Sequence, residues 1–159
     1  MEEISKALKD ANRLLRTADH LTYVTYPLVK DNKLIIAIAE SLNGAMIKAM
    51  DAILQYDRYY KRIMHFPSDF QSRFDIFKRN CAPRYNINRE YLVLMQDLKD
   101  LIEARKHSAF EFIRKDQYVI TSNSYDIRTL NYQKVKEIVN KSKPFFEKIN
   151  FILKNVKYK

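Results

Sequence analysis

From Ile4 onward, apolar residues return every three or four positions: Ile4, Ala7, Leu8, Ala11, Leu14, Leu15, Ala18 and Leu21. That period lines one face of a helix, so residues 2 to about 25 are predicted to form one amphipathic helix. Pro27 is expected to end it, because a residue ahead of proline is pushed out of the α region. Asp31 can then cap a second helix by accepting from its unpaired first-turn amides. The stripe Leu34, Ile35, Ile38, Leu42, Ala45, Met46, Ala49, Ile53 and Leu54 follows, and Tyr56, Tyr60 and Ile63 extend it toward residue 64. Its length makes this helix the expected spine.

Phe66-Pro67-Ser68-Asp69 breaks the pattern, and Ser68 or Asp69 can cap a short helix through Lys78. Residues 80–87, which include Pro83, read as a loop. Asn88 caps a fourth helix, with Tyr91, Leu92, Met95, Leu98, Leu101 and Ile102 forming its seam toward Lys106. Between Phe110 and Thr121 the period changes. Phe110-Glu-Phe-Ile and Tyr118-Val-Ile-Thr flank Arg114-Lys-Asp-Gln, a β-leaning composition. Ser122 to Tyr125 reads as polar linker, and a last helix covers roughly 131–156, with Pro144 kinking or restarting it. The fold class is therefore mainly all-α. One domain over residues 1–159 is a four- or five-helix bundle with a small irregular or two-stranded β insert near 110–121.

Composition narrows the chemistry. The chain has one glycine and four prolines in 159 residues. Phosphate loops of the GxGxxG or GxxxxGK type need several glycines and are excluded. Gly44 falls inside the second helix, where it can admit a close neighbour. Cys81 is the only cysteine, so no intrachain disulfide forms, as suits a reducing, cytoplasmic setting. It precedes Ala82-Pro83 and has Arg79 and Arg84 nearby, which can lower a thiol pKa, although a lone cysteine more commonly packs. The start, Met-Glu-Glu-Ile-Ser-Lys, does not resemble a signal peptide. The longest apolar run, Leu34 to Ala39, falls well short of the roughly 20 residues needed to span a bilayer. His20, His65, His107 and Cys81 form no metal-ligand spacing, and neither metal nor other cofactor is expected.

The net charge is +10. It suits an acidic partner such as RNA or another nucleic acid, and equally a merely solvated basic surface. The last helix is rich in lysine, but Lys134, Lys141 and Lys148 border one edge of its apolar stripe and Lys136, Lys143 and Lys154 the other. Margins of that kind are where lysine stems snorkel. A different group combines cations with aromatics: Arg58, Tyr59, Lys61, Arg62 and His65, followed by Arg84 and Arg89. Cations neutralise phosphates while tyrosines stack on unpaired bases, a mixture suited to single-stranded or structured RNA. Arg105, Lys106, Arg114 and Lys115 form a further basic group. One continuous face containing Arg58, Arg84 and Arg105 would favour RNA.

Arg58 and His65 have the spacing Arg-x6-His, as do Arg13 and His20. The first pair resembles the Arg-x4–6-His signature of the HEPN family, small helical bundles that often dimerise. The resemblance implies a metal-independent endoribonuclease, with Arg58 and His65 at the mouth of a cleft acting on a scissile phosphate. Tyr59 stands where that family usually has a small polar residue. Three functions follow: a non-catalytic RNA-binding module, a HEPN-like ribonuclease, and a helical scaffold that docks a protein partner or a second copy of itself.

Overall fold

The computed structural model describes the backbone of residues 1–107, 110–114, 117–121 and 127–154, and the side chains of 1–105 and 130–154. Helix α1 (Glu2–His20) packs along α3 (Lys33–Tyr59), the most extensive pairing in the molecule. Gly44 makes it close: a Cβ there would come within 3.2 Å of the Leu14 side chain. The spine α3 buries Ile35, Ile38, Leu42, Met46, Met50, Ile53 and Leu54 almost completely. The N-cap of α3 is Asn32, which makes no side-chain cap, and not Asp31 as expected; Asp31, one residue earlier, accepts from the Lys33 amide at 2.9 Å. Asp69 caps α4 (Phe70–Ile76) through the Ser72 amide at 2.9 Å, an interaction that holds its carboxyl below the usual range. Helices α6 (Arg89–His107) and α7 (Tyr132–Leu153) complete the bundle, both packed on α3.

Two features depart from the periodicity. Pro27 does not end the first helical run: the chain widens into a π turn, Leu21–Thr25, and continues through α2 (Tyr26–Val29). Residues 80–87 are likewise not simply loop, because a π turn at Phe77–Cys81 leads into α5 (Ala82–Arg84). In both places proline follows the π turn by two positions. A proline ring clashes with the carbonyl four residues back, and a widened turn relieves that clash. The spine is also shorter than expected, ending at Tyr59 rather than near residue 64.

Lysine and asparagine make the helix stops in this glycine-poor chain. Lys30, Lys61 and Asn86 are left-handed, with φ of 54°, 58° and 54°. Beyond two of them, the Arg62 amide returns to the Asp57 carbonyl at 2.8 Å and the Ile87 amide to that of Ala82 at 2.9 Å. These are the six-to-one bonds of helix C-terminal motifs that usually employ glycine.

The β insert is present and larger than a hairpin. Strands β1 (Phe110–Arg114), β2 (Gln117–Thr121) and β3 (Ile127–Asn131) form an antiparallel meander in sequence order. Phe112 pairs with Val119, and Val119 with Thr129. The linker expected at 122–125 lies outside the described residues. No helix is long and apolar enough to cross a membrane among the described residues.

Candidate nucleic-acid interface

The spine ends on a buried carboxylate. Asp57 is 0% exposed and lies in the last turn of α3, at the negative end of its dipole, where an acid is disfavoured unless cations offset it. Arg84 donates to Oδ2 and the Tyr85 hydroxyl donates to Oδ1. The Cys81 thiol donates to Oδ2 at 3.2 Å, and Arg62 Nη1 reaches Oδ1 at 3.3 Å and the Tyr85 hydroxyl at 3.2 Å. The second π turn and α5 therefore deliver Cys81, Arg84 and Tyr85 to one carboxylate. A buried charge survives when paired and hydrogen-bonded in this way.

The electrostatics of the cluster favour the packing reading of the lone cysteine. Cys81 is not an activated thiol: burial pushes its pKa up, the charge and hydrogen bond of Asp57 push it further, and Arg84 only partly opposes them. Burial raises Tyr85 in the same way, again with Asp57 adding to the effect. Both groups are donors held in their neutral form. Six residues earlier on α3, Asp51 meets Arg73 at 2.7 Å, and burial still holds its carboxyl above the ordinary range.

The residues expected to contact nucleic acid fall into separate places. Arg58, Tyr59, Lys61 and His65 are exposed at and just beyond the end of α3, with Tyr59 54% exposed. The Arg58 guanidinium lies 5.7 Å from the centre of the Phe66 ring, and the His65 ring stacks beside the same ring at 6.4 Å. Arg58 and His65 thus share a neighbour. Arg62 is engaged by Asp57 and stands over the rings of Tyr56 and Tyr60. Arg84 is committed to Asp57. Arg89 opens α6 and lines a different groove, between α6 and α7.

Arg105 pairs with Glu40 at 3.0 Å. Glu40 precedes Arg58 by 18 residues on α3, about 27 Å at 1.5 Å per residue. Arg58, Arg84 and Arg105 therefore do not form one free basic face. The side chains of Lys106 and Arg114, and Lys115 altogether, lie outside the described residues. Among the described residues, no group of three or more His, Cys, Asp and Glu is arranged to hold a metal ion.

The lysines of α7 behave as margins of a packed stripe. Lys143 pairs with Asp19 at 2.7 Å and Lys148 donates to the Asn86 carbonyl at 2.6 Å. Lys136 and Lys143 both cover the Tyr23 ring.

Sequence reasoning missed Asp57. Its signal was present: it follows Ile53 by four and Met50 by seven residues, which puts a carboxylate on the buried stripe of the spine. No family model matches this chain, and neither a curated protein nor a solved structure does.

Proposed function

We propose that this protein is a helical RNA-binding module whose contact surface is the exposed end of α3 and the turn that follows it. The observation that carries this reading is the pairing of free cations with exposed aromatic surface on a pinned backbone. Arg58 and Lys61 make no ion pair among the described residues, Tyr59 is exposed beside them, and Asp57 anchors the turn from beneath. Arg58 and Lys61 would neutralise successive phosphates, while Tyr59 offers a face on which an unpaired base stacks. Arg62 and Arg84 act from below as supports. The scattered placement of the remaining cations argues for a small footprint, with a modest salt slope.

The test is fluorescence anisotropy with a labelled single-stranded RNA over a salt series. Each phosphate contact contributes about 0.7 to the slope of log affinity against log salt, so Arg58→Ala with Lys61→Ala should flatten it by about 1.4. Tyr59→Ala should cost about 1–3 kcal/mol while leaving the slope unchanged. No binding at low salt, or full binding by a variant with Arg58, Tyr59 and Lys61 all changed to alanine, ends the reading.

A HEPN-like ribonuclease is the second reading, favoured by the shared contact of Arg58 and His65 with Phe66. The same RNA, incubated with chelator, should then be cut by the parent and left intact by His65→Ala.

A further inference from the structure

We infer that the groove between α6 and α7 is a docking site for an amphipathic helix of a protein partner. The inference is independent of RNA binding and concerns another face of the molecule.

The two helices run antiparallel on α3. Tyr91, near the start of α6, rests 5.6 Å from Phe145, far along α7, while Leu98 and Leu101, later on α6, share a cavity lining with Leu130, just ahead of α7. Between them lies an open groove of about 600 Å³. Its floor is aliphatic, formed by Leu94, Leu98, Leu101, Leu130 and Ile138, and Val93 on its edge is 48% exposed. The α6 wall runs from Arg89 to Leu101, 12 residues or about 18 Å, which matches a helix of about three turns.

The rims specify what fits. Glu90 and Asp97 stand seven residues apart on α6, and Lys134 and Lys141 stand seven apart on α7. Seven residues is close to two helical turns, so each pair marks one edge along the length of the groove. Arg89 and Glu137 soften these edges without reversing them: two acids against one cation leave −1 on α6, and two lysines against one acid leave +1 on α7. None of these rim charges makes an ion pair with a described residue, across the groove or elsewhere. Charges arranged in parallel rows, opposite in sign and held apart by an apolar floor, complement a helix with an apolar stripe between a basic and an acidic flank. A compact ligand would meet only one end of such rows. A nucleic acid would be opposed by the acidic wall.

Three synthetic peptides of equal length and equal leucine stripe test this. One has lysines on one flank and glutamates on the other, one has lysines on both, and one has glutamates on both. The parent protein should bind the mixed peptide about tenfold more tightly than either other, as two or three complementary rim pairs allow. In Lys134→Glu with Lys141→Glu both walls are acidic, and the preference should move to the all-lysine peptide. Val93→Asn, a neutral change at an already exposed position, should weaken all three while circular dichroism shows the fold intact. Failure of every peptide to bind the folded parent overturns the inference. So does equal affinity for all three, or a preference that the two lysine reversals leave unmoved. Uptake of a small apolar dye without any peptide binding also overturns it, and makes the groove a small-molecule pocket.

Discussion

At Pro27 and at Pro83 the chain meets the same obstacle in the same way, with a five-residue π turn placed two positions ahead of a proline, yet the two junctions do opposite jobs. The first serves closure of the bundle. In the widened pattern Pro27 cannot donate to the Thr22 carbonyl, and the Tyr132 hydroxyl at the start of α7 donates instead, at 2.6 Å. Tyr26 stacks on the Tyr132 ring with centroids 4.1 Å apart, so the junction is an adhesive for α7. The second serves a charge. Its extra residue re-aims Cys81, Arg84 and Tyr85 at Asp57, which fixes the end of the spine and the turn carrying Arg58, Tyr59 and Lys61. One backbone device can thus supply packing or electrostatics, depending on whether its neighbours are rings or a carboxylate.

Asp57→Ala should separate the two junctions most strongly. It leaves the exposed Arg62 and Arg84 without their carboxylate and deprives the buried Cys81 and half-buried Tyr85 of an acceptor, a loss of about 2 kcal/mol. Urea unfolding reads it as a lower midpoint at unchanged slope. The Tyr26–Tyr132 contact should persist in the folded variant, visible in its near-ultraviolet circular dichroism.

Alkaline pH tests the second junction. Cys81 and Tyr85 have folded pKa values raised above their ordinary values of 9.0 and 10.0, so the unfolded chain releases these protons first. Between pH 9 and 11 the folded state then holds more protons than the unfolded, and stability must fall as pH rises. Urea midpoints at pH 8 and pH 10.5 should show this loss in the parent protein. It should be smaller in Tyr85→Phe, where one of the raised groups is gone.

Tyr132→Phe tests the first junction and should have the smallest effect. It keeps the stacked ring and removes only the donor to Thr22, a cost of about 1 kcal/mol. A loss as large as that of Asp57→Ala would make the two junctions equivalent.

The four long helices were legible because each buries one stripe at helical period: Ile4, Leu8 and Ala11 on α1, for example, or Val135, Val139 and Phe146 on α7. The π turns were not, since a single added residue shifts the stripe by less than its own width and proline ordinarily reads as a stop. The strand β3 was hidden by its place and not by its length: Ile127-Arg-Thr-Leu-Asn ends on Asn131, which is also the N-cap of α7, so the segment reads as the approach to that helix. The exposed cations were readable as a group, but which of them are engaged depends on Asp57 and Glu40, whose partners lie 27 and 65 residues away. Sequence spacing carries no trace of such distant pairings. Pro144, by contrast, sits within one uninterrupted α7.

The left-handed stops carry a consequence for the evolution and engineering of the chain. Lysine at φ near 55° holds about 1 kcal/mol of backbone strain that glycine would release. The chain therefore keeps a reserve of stability it has not taken up. At Lys61 drawing on that reserve would remove a cation from the proposed contact surface. At Lys30, which stands at the far end of the spine from Asp57, it would leave that surface untouched, so the molecule can be made more tolerant of mutation at one end while its chemistry is varied at the other.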